Sequence, residues 1–163
     1  MAEGLITIDL SAQTLTLRQG AAVQQCWPVS TAANGAGEIS GSGCTPRGRH
    51  IIRARIGAGA AIGTVFKGRR VAADVPLYSP EMCARYPGRD WITSRILWLS
   101  GCERGFNRLG CVDTMRRYIY IHGTPHVEAL GKPASHGCIR MRDTDVIELF
   151  DLVSIGTEVH LHD

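Results

Sequence analysis

A thiol and three imidazoles lie within seventeen positions of one another towards the carboxyl-terminal end: His122, His126, His136 and Cys138. His122 opens the run His122-Gly123-Thr124-Pro125, and Cys138 sits within Ser135-His136-Gly137-Cys138-Ile139-Arg140-Met141. One chemistry these residues suit is nucleophilic catalysis by cysteine. The thiolate is the nucleophile, a free Cys is mostly protonated near neutral pH, and a neighbouring imidazole can take the proton. Gly137 lets the backbone turn tightly and present N–H groups to a developing oxyanion. A second chemistry is zinc binding, since His and thiolate are its usual ligands. Against zinc, the segment has no C-x-x-C, and Pro125 interrupts the His122-to-His126 spacing. Structural roles compete as well: a lone Cys often serves as a small buried hydrophobe, and a lone His as a hydrogen-bonded turn residue. Spacing alone leaves the three readings open.

Strands must deliver these groups. Arg117-Tyr118-Ile119-Tyr120-Ile121-His122 reads as a strand with His122 at its end, and Gly123 to Ser135 as a loop that folds back towards it. Asp143 or Thr144 then caps a helix carrying Val146, Ile147, Leu149, Phe150, Leu152 and Val153 at helical spacing, and Thr157 to Leu161 is a last strand. The amino-terminal third alternates in twos: Leu5 to Leu10, Thr14 to Arg18 and Ala22 to Val29 read as strands, with Pro28 marking an edge or an end. A long Gly-, Ser- and Thr-rich loop from Thr31 closes on Thr45-Pro46-Arg47-Gly48, and His50 to Ile56 returns to strand. Residues 57–63 lack the Gly-Lys-Ser/Thr ending and the spacing of a nucleotide-binding loop. In Asp74 to Asp90, Pro76, Pro80 and Pro87 are expected to break any regular element; Ile96 to Leu99 is a strand. The expectation is a mainly β, antiparallel, sandwich- or barrel-like domain over 1–163, with one or two short helices.

Composition narrows the classes further. A hydrophobic share of 44% against 20% charged residues excludes a disordered chain. The net charge of +3 is too mild and scattered to imply nucleic acid. Nearly all of the basic charge is Arg, Lys67 and Lys132 being the only lysines. The longest weakly apolar stretch, Gly57 to Val65, is too short for a bilayer, so no membrane partner is expected. Met1 to Asp9 has no basic n-region or apolar h-region, so a cytoplasmic location is expected, or a periplasmic one if a leader has been trimmed away. Of the six cysteines, only Cys102 and Cys111 are placed to bridge across a Gly-rich loop; the five besides Cys138 read as buried or idle thiols.

The two motifs around His122 and Cys138 resemble the signature of the YkuD-type L,D-transpeptidase family. Leu5 to Val29 resembles the opening strands of that domain, Thr45-Pro46-Arg47-Gly48 its Thr-Pro-x-Gly turn, and Ile155 to Val159 its closing strand. Residues 57–115 match poorly. The resemblance implies a β-rich cysteine acyl-transfer enzyme acting on peptidoglycan stem peptides or muropeptides, without cofactor or metal. It implies Cys138 as nucleophile, His122 as general base, and the Gly123 carbonyl as the group orienting His122. It also implies that His136 and Gly137 shape an oxyanion hole with the Cys138 N–H, and that Arg140, Ser135 and Thr124 meet substrate. For Arg140, an ion pair with an acidic neighbour competes with that role. The expected donor is a tetrapeptide stem cut before its terminal D-Ala. Water as acceptor gives an L,D-carboxypeptidase of murein recycling, favoured for a cytoplasmic enzyme; an amine gives a crosslinking transpeptidase. Val71 to Asp113 is expected to fold over the site as a lid, its arginines holding carboxylates. No oligomeric state follows from the sequence.

Overall fold

Alternation in twos puts Ile6, Ile8, Leu15 and Leu17 on one side of a hairpin, and that side is buried in the computed structural model, which describes residues 4–163. Residues 1–3, part of the segment read for a leader, lie outside the described residues. In chain order the strands are β1 (Gly4–Asp9), β2 (Thr14–Gln19), β3 (Ala22–Pro28), β4 (Gly48–Ile56), β5 (Val65–Lys67) and β6 (Arg70–Val71). There follow helix α1 (Pro80–Arg85), β7 (Ile92–Gly101), β8 (Tyr120–Thr124), β9 (Ile139–Arg142), helix α2 (Asp143–Leu152) and β10 (Glu158–His162).

These strands form one sheet in the order β3-β2-β1-β10-β4-β7-β5-β6, and β8 and β9 continue from β7 along a second branch. The mainly β architecture with two helices agrees with the sequence. Most pairs are antiparallel, but β1 with β10 and β8 with β9 are parallel, so the sheet is mixed. The β8–β9 pair is parallel because a loop of more than a dozen residues, Pro125 to Cys138, joins them; a hairpin turn could only have made an antiparallel pair.

Helix α2 lays Val146, Leu149 and Phe150 onto a core shared with Leu97, Leu99, Ile121, Ile139 and Met141. Its start departs from expectation: Arg142 precedes the helix without a side-chain cap, and Asp143 is its first residue. The proline-rich stretch also holds a regular element. Pro80 sits in the first turn of α1, where its missing N–H is not needed, and Ser79 Oγ accepts the Met82 N–H. The β5–β6 hairpin, unread in the sequence, lies just before that stretch. Strand β8 begins at Tyr120 rather than Arg117 because Tyr118 adopts φ +57°, which breaks the extended run. All six thiols are free, Cys102 and Cys111 included; as residues Cys26 and Cys111 are exposed and the rest half-buried.

Candidate active site

Strands β8 and β9 place the motif residues by pleat alone. In their parallel register Ile121 pairs with Ile139 and His122 with Arg140. Side chains alternate faces, so Ile121, Ile139 and Met141 enter the core while Tyr120, His122, Cys138 and Arg140 share the opposite face. Cys138, one residue before β9, stands level with Tyr120. It lines a cleft of about 300 Å³ with Phe66, Arg69, Asp90, Ile96, Arg117, Tyr118, Tyr120, Ser135, His136 and Arg140.

The thiol is held by backbone. The Tyr120 N–H donates to Cys138 Sγ at 3.3 Å, and the thiol donates to the Tyr118 carbonyl at 3.4 Å. Burial pushes its pKa up to about 12, outweighing the Tyr120 amide and the cations Arg140 and Arg117. His122 is fully buried, and its Nδ1 lies 2.7 Å from the Gly123 carbonyl. A carbonyl only accepts, so Nδ1 carries the proton and Nε2 holds a lone pair; Nε2 has no hydrogen-bond partner among the described residues. Burial lowers the His122 pKa, against the opposing charges of Asp90 and Asp143. The resting pair is thus a neutral thiol and a neutral imidazole. The hydrogen bonds of Sγ run to the Tyr118 and Tyr120 backbone and not to His122.

Other expected residues fall into place unevenly. Ser135 Oγ donates to the Cys138 carbonyl at 2.6 Å and accepts the Gly137 N–H at 3.2 Å, so it ties the Cys138 turn together. That bond occupies the Gly137 amide, which the sequence had assigned to the oxyanion hole. Gly137 itself cannot be replaced freely. Its φ is +133°, and a Cβ would lie 3.1 Å from Ile119 Cδ1 and 3.2 Å from the Cys44 carbonyl oxygen. Its carbonyl is gripped by Thr45 Oγ1 from the Thr-Pro-x-Gly turn. His136 is exposed on the cleft wall. Thr124 is buried away from the cleft and accepts the His126 amide, so the structure gives it no contact with the site. Arg140 donates to Asp90 Oδ1 at 2.8 Å, the ion pair that competed with a substrate role. His126 faces Glu128, and among the described residues no group of three His, Cys, Asp or Glu is placed to hold a metal ion.

Two cations reach the cleft from positions the sequence did not single out. Arg69, at the tip of the β5–β6 hairpin, donates to Tyr120 Oη at 3.0 Å and stacks 5.0 Å over Trp98 and 4.9 Å over Tyr118. Arg117 donates to the carbonyls of Cys44, Glu38 and Gly37, and burial lowers its pKa. Neither makes an ion pair with a carboxylate among the described residues. By contrast, Arg85, Arg89, Arg104 and Arg108 of the expected lid do not line the cleft; Arg89 is bound to Asp74 at 2.8 Å. From Val71 to Asp113 only Asp90, Ile92 and Ile96 border it. The flap over the site is the β5–β6 hairpin. A second groove of about 420 Å³, lined by Ser40, Gly41, Gly43 and Arg116, meets the first at Arg117, Tyr118 and His136. Strand alternation would have found Tyr120, two residues before His122; no local signal marks Asp90, Arg69 or Arg117.

Comparison with known proteins bears on the family and the fold. The YkuD family model, described as the L,D-transpeptidase catalytic domain, matches residues 3–161. The chain is 42% identical over 59 residues to putative L,D-transpeptidase YqjB of Bacillus subtilis and 45% identical over 47 residues to putative L,D-transpeptidase YkuD of the same organism. These segments span 36% and 29% of this chain, and 32% and 29% of the relatives. Among solved structures, an L,D-transpeptidase from Mycobacterium smegmatis matches 99% of this chain and 59% of its own, with TM-score 0.64 and 21% identity. L,D-transpeptidase 3 from Mycobacterium tuberculosis, in complex with a faropenem-derived adduct, matches 99% of this chain and 60% of its own, with TM-score 0.61 and 15% identity. At such identities the likeness is one of fold.

Proposed function

Because the chain belongs to the YkuD family of L,D-transpeptidase catalytic domains, we propose that it is a cysteine acyl-enzyme peptidase that removes the terminal D-Ala from peptidoglycan tetrapeptide stems. The observation that carries this reading is the Cys138 thiol in a cleft whose Arg69 and Arg117 have no carboxylate partner among the described residues. A stem peptide ending in a free carboxylate supplies the missing anion, and guanidinium suits it through paired N–H donors.

The steps follow from the atoms present. Cys138 Sγ adds to the carbonyl of the diamino acid while its proton passes to His122 Nε2. The Tyr120 N–H, already directed at Sγ, is a donor beside which the oxyanion forms. The C–N bond breaks, the D-Ala amine takes the proton from His122, and a thioester remains. Water, deprotonated by His122, then releases tripeptide and restores the thiol. The Gly123 carbonyl keeps Nδ1 as the protonated nitrogen throughout.

Two considerations support water as acceptor. The cleft is small, about 300 Å³, and Phe66, Gly68 and Arg69 of the β5–β6 hairpin, with Arg69 stacked on Tyr118 and Trp98, wall one side of it. We further propose that the enzyme works on soluble muropeptides in the cytoplasm. The second groove favours a crosslinking reaction, since it offers a second stem a berth beside His136. Mass spectrometry of the purified protein with free tetrapeptide, with and without excess acceptor stem, separates the two. Tripeptide and D-Ala in both samples is the expected result. Dominant crosslinked dimer would assign a transpeptidase, and no acyl-enzyme on Cys138 would remove the reading altogether.

A further inference from the structure

We propose that Asp143 is a positioning residue for His122, acting through the backbone of Gly123; the inference rests on His122 being the base that activates Cys138. Asp143 is the first residue of α2, where a carboxylate would ordinarily serve the helix's own amides. Instead its Oδ1 accepts two hydroxyls from β7, Thr93 Oγ1 and Ser94 Oγ, each at 2.6 Å. Both donors are completely buried. Two short charge-assisted bonds to one oxygen make a stiff clamp between helix and sheet.

The clamped segment is irregular. Along β8 the pairing advances one residue, from Gly123 to His122, while along β7 it advances from Thr93 to Ile96. Ser94 and Arg95 are the bulge, and Ser94 holds φ +70°, a left-handed conformation that a serine adopts only when its surroundings enforce it. Asp143 and the Gly63 N–H, which donates to the same Ser94 Oγ at 3.0 Å, are those surroundings. Directly opposite the bulge lies Gly123. A Cβ there would overlap both the Thr93 carbonyl and Asp143 Oδ1, so the carboxylate rests against the backbone whose carbonyl receives the His122 Nδ1–H. Where Asp143 holds the bulge, Gly123 and then His122 are held.

The carboxylate also acts through charge. The charged groups that act on His122 are Asp90, Arg140 and Asp143; the first and last favour its imidazolium and Arg140 opposes it. Removing the Asp143 charge therefore moves the His122 titration to lower pH. Asp90 is already paired with Arg140, which leaves Asp143 the acid that no ion pair satisfies among the described residues. The clamp is neutral in its donors and anionic in its acceptor, so geometry and charge can be separated by substitution.

Three variants test this: Asp143→Ala, Asp143→Asn and Ser94→Gly. The first readout is the rate of iodoacetamide alkylation at Cys138 against pH, followed by peptide mass mapping, which requires no knowledge of the natural substrate. The second is kcat and KM on tetrapeptide. Asp143→Ala should slow alkylation near neutral pH and lower kcat by about 10- to 100-fold, with KM little changed, as expected for a misplaced base. Asp143→Asn keeps an acceptor oxygen for both hydroxyls; it should recover most of the rate, with the acidic limb of the profile displaced to lower pH. Ser94→Gly relieves the strained φ while deleting a donor, so it should lower kcat without lowering the unfolding temperature, and it decides the matter if Asp143→Ala fails to fold. Wild-type rates and pH limbs in Asp143→Asn and Ser94→Gly would overturn the inference. Tetrapeptide left uncut by wild type while the alkylation profiles shift would instead overturn the proposed function and leave Asp143 its role.

Discussion

Acid should loosen this fold through His50 well before the carboxylates are neutralised. His50 lies on β4, fully buried, with Nδ1 3.1 Å from the Gly48 carbonyl and Nε2 2.8 Å from Thr114 Oγ1. Nδ1 must donate to the carbonyl, so Nε2 accepts the threonine hydroxyl and the ring is neutral. Burial lowers its pKa from 6.5 to about 4. Between those values the unfolded chain holds the proton and the folded chain does not, so stability is whole above pH 6.5 and falls as pH drops towards 4. At 1.36 kcal/mol per pH unit the loss is about 2 kcal/mol from pH 7 to pH 5, and about 3 kcal/mol by pH 3.5. His122, whose pKa burial also lowers, adds in the same direction. The consequence reaches the cleft, because Thr114 begins the turn that carries Arg117 and Tyr118, and its carbonyl accepts the Ile119 N–H. Urea unfolding followed by tryptophan fluorescence at pH 7, 6 and 5 checks this, comparing wild type with His50→Gln. The variant should start less stable at pH 7 and lose about 2 kcal/mol less on the way to pH 5. Parallel curves for the two proteins would refute the assignment.

Cys138→Ala should abolish turnover and carbapenem acylation while changing stability by less than about 1 kcal/mol, since two weak sulfur hydrogen bonds and the packing of one half-buried sulfur against Phe66, Ile96 and Tyr120 are lost; intact mass and urea unfolding check it. Arg69→Ala should raise KM for tetrapeptide on the order of tenfold with little change in kcat, the cost of one charge-assisted bond to a carboxylate, whereas a substrate amidated at that carboxylate should be insensitive to the variant. Gly137→Ala should cost about 1–3 kcal/mol of stability from its φ alone and slow Cys138 alkylation, because the turn that carries the thiol must shift; a fully active, equally stable variant would show that the turn relaxes freely.

The Cys138 thiol and the His122 imidazole were legible because their signal is local. A thiol between Gly and His, and a strand ending in His-Gly, can be read from a few adjacent residues, and pleat alternation then fixes which face they share. The amino-terminal hairpin was legible for the same reason, as Ile6, Ile8, Leu15 and Leu17 alternate strictly. The β8–β9 pairing was not, since parallel register depends on how a long loop crosses and no residue type announces it. Helix α1 was masked by its own start signal: Pro80 ends a helix when read from the left and begins one when Ser79 stands before it.

The site's charges were hidden for a deeper reason. Arg140 carried the family position and so attracted the substrate role, but its guanidinium is paired with Asp90 at 2.8 Å, which already offsets its charge. Arg69 and Arg117 spend their donors on a phenol and on carbonyls, partners that leave the positive charge uncancelled. A charge is available to substrate according to what it touches and not according to its motif. Asp90 and Asp143 complete the division, one carboxylate neutralising the arginine of β9 and the other turned away from the cleft to brace the base. The two acids nearest His122 therefore differ in task through their partners alone: Asp90 meets a cation, and Asp143 meets two hydroxyls.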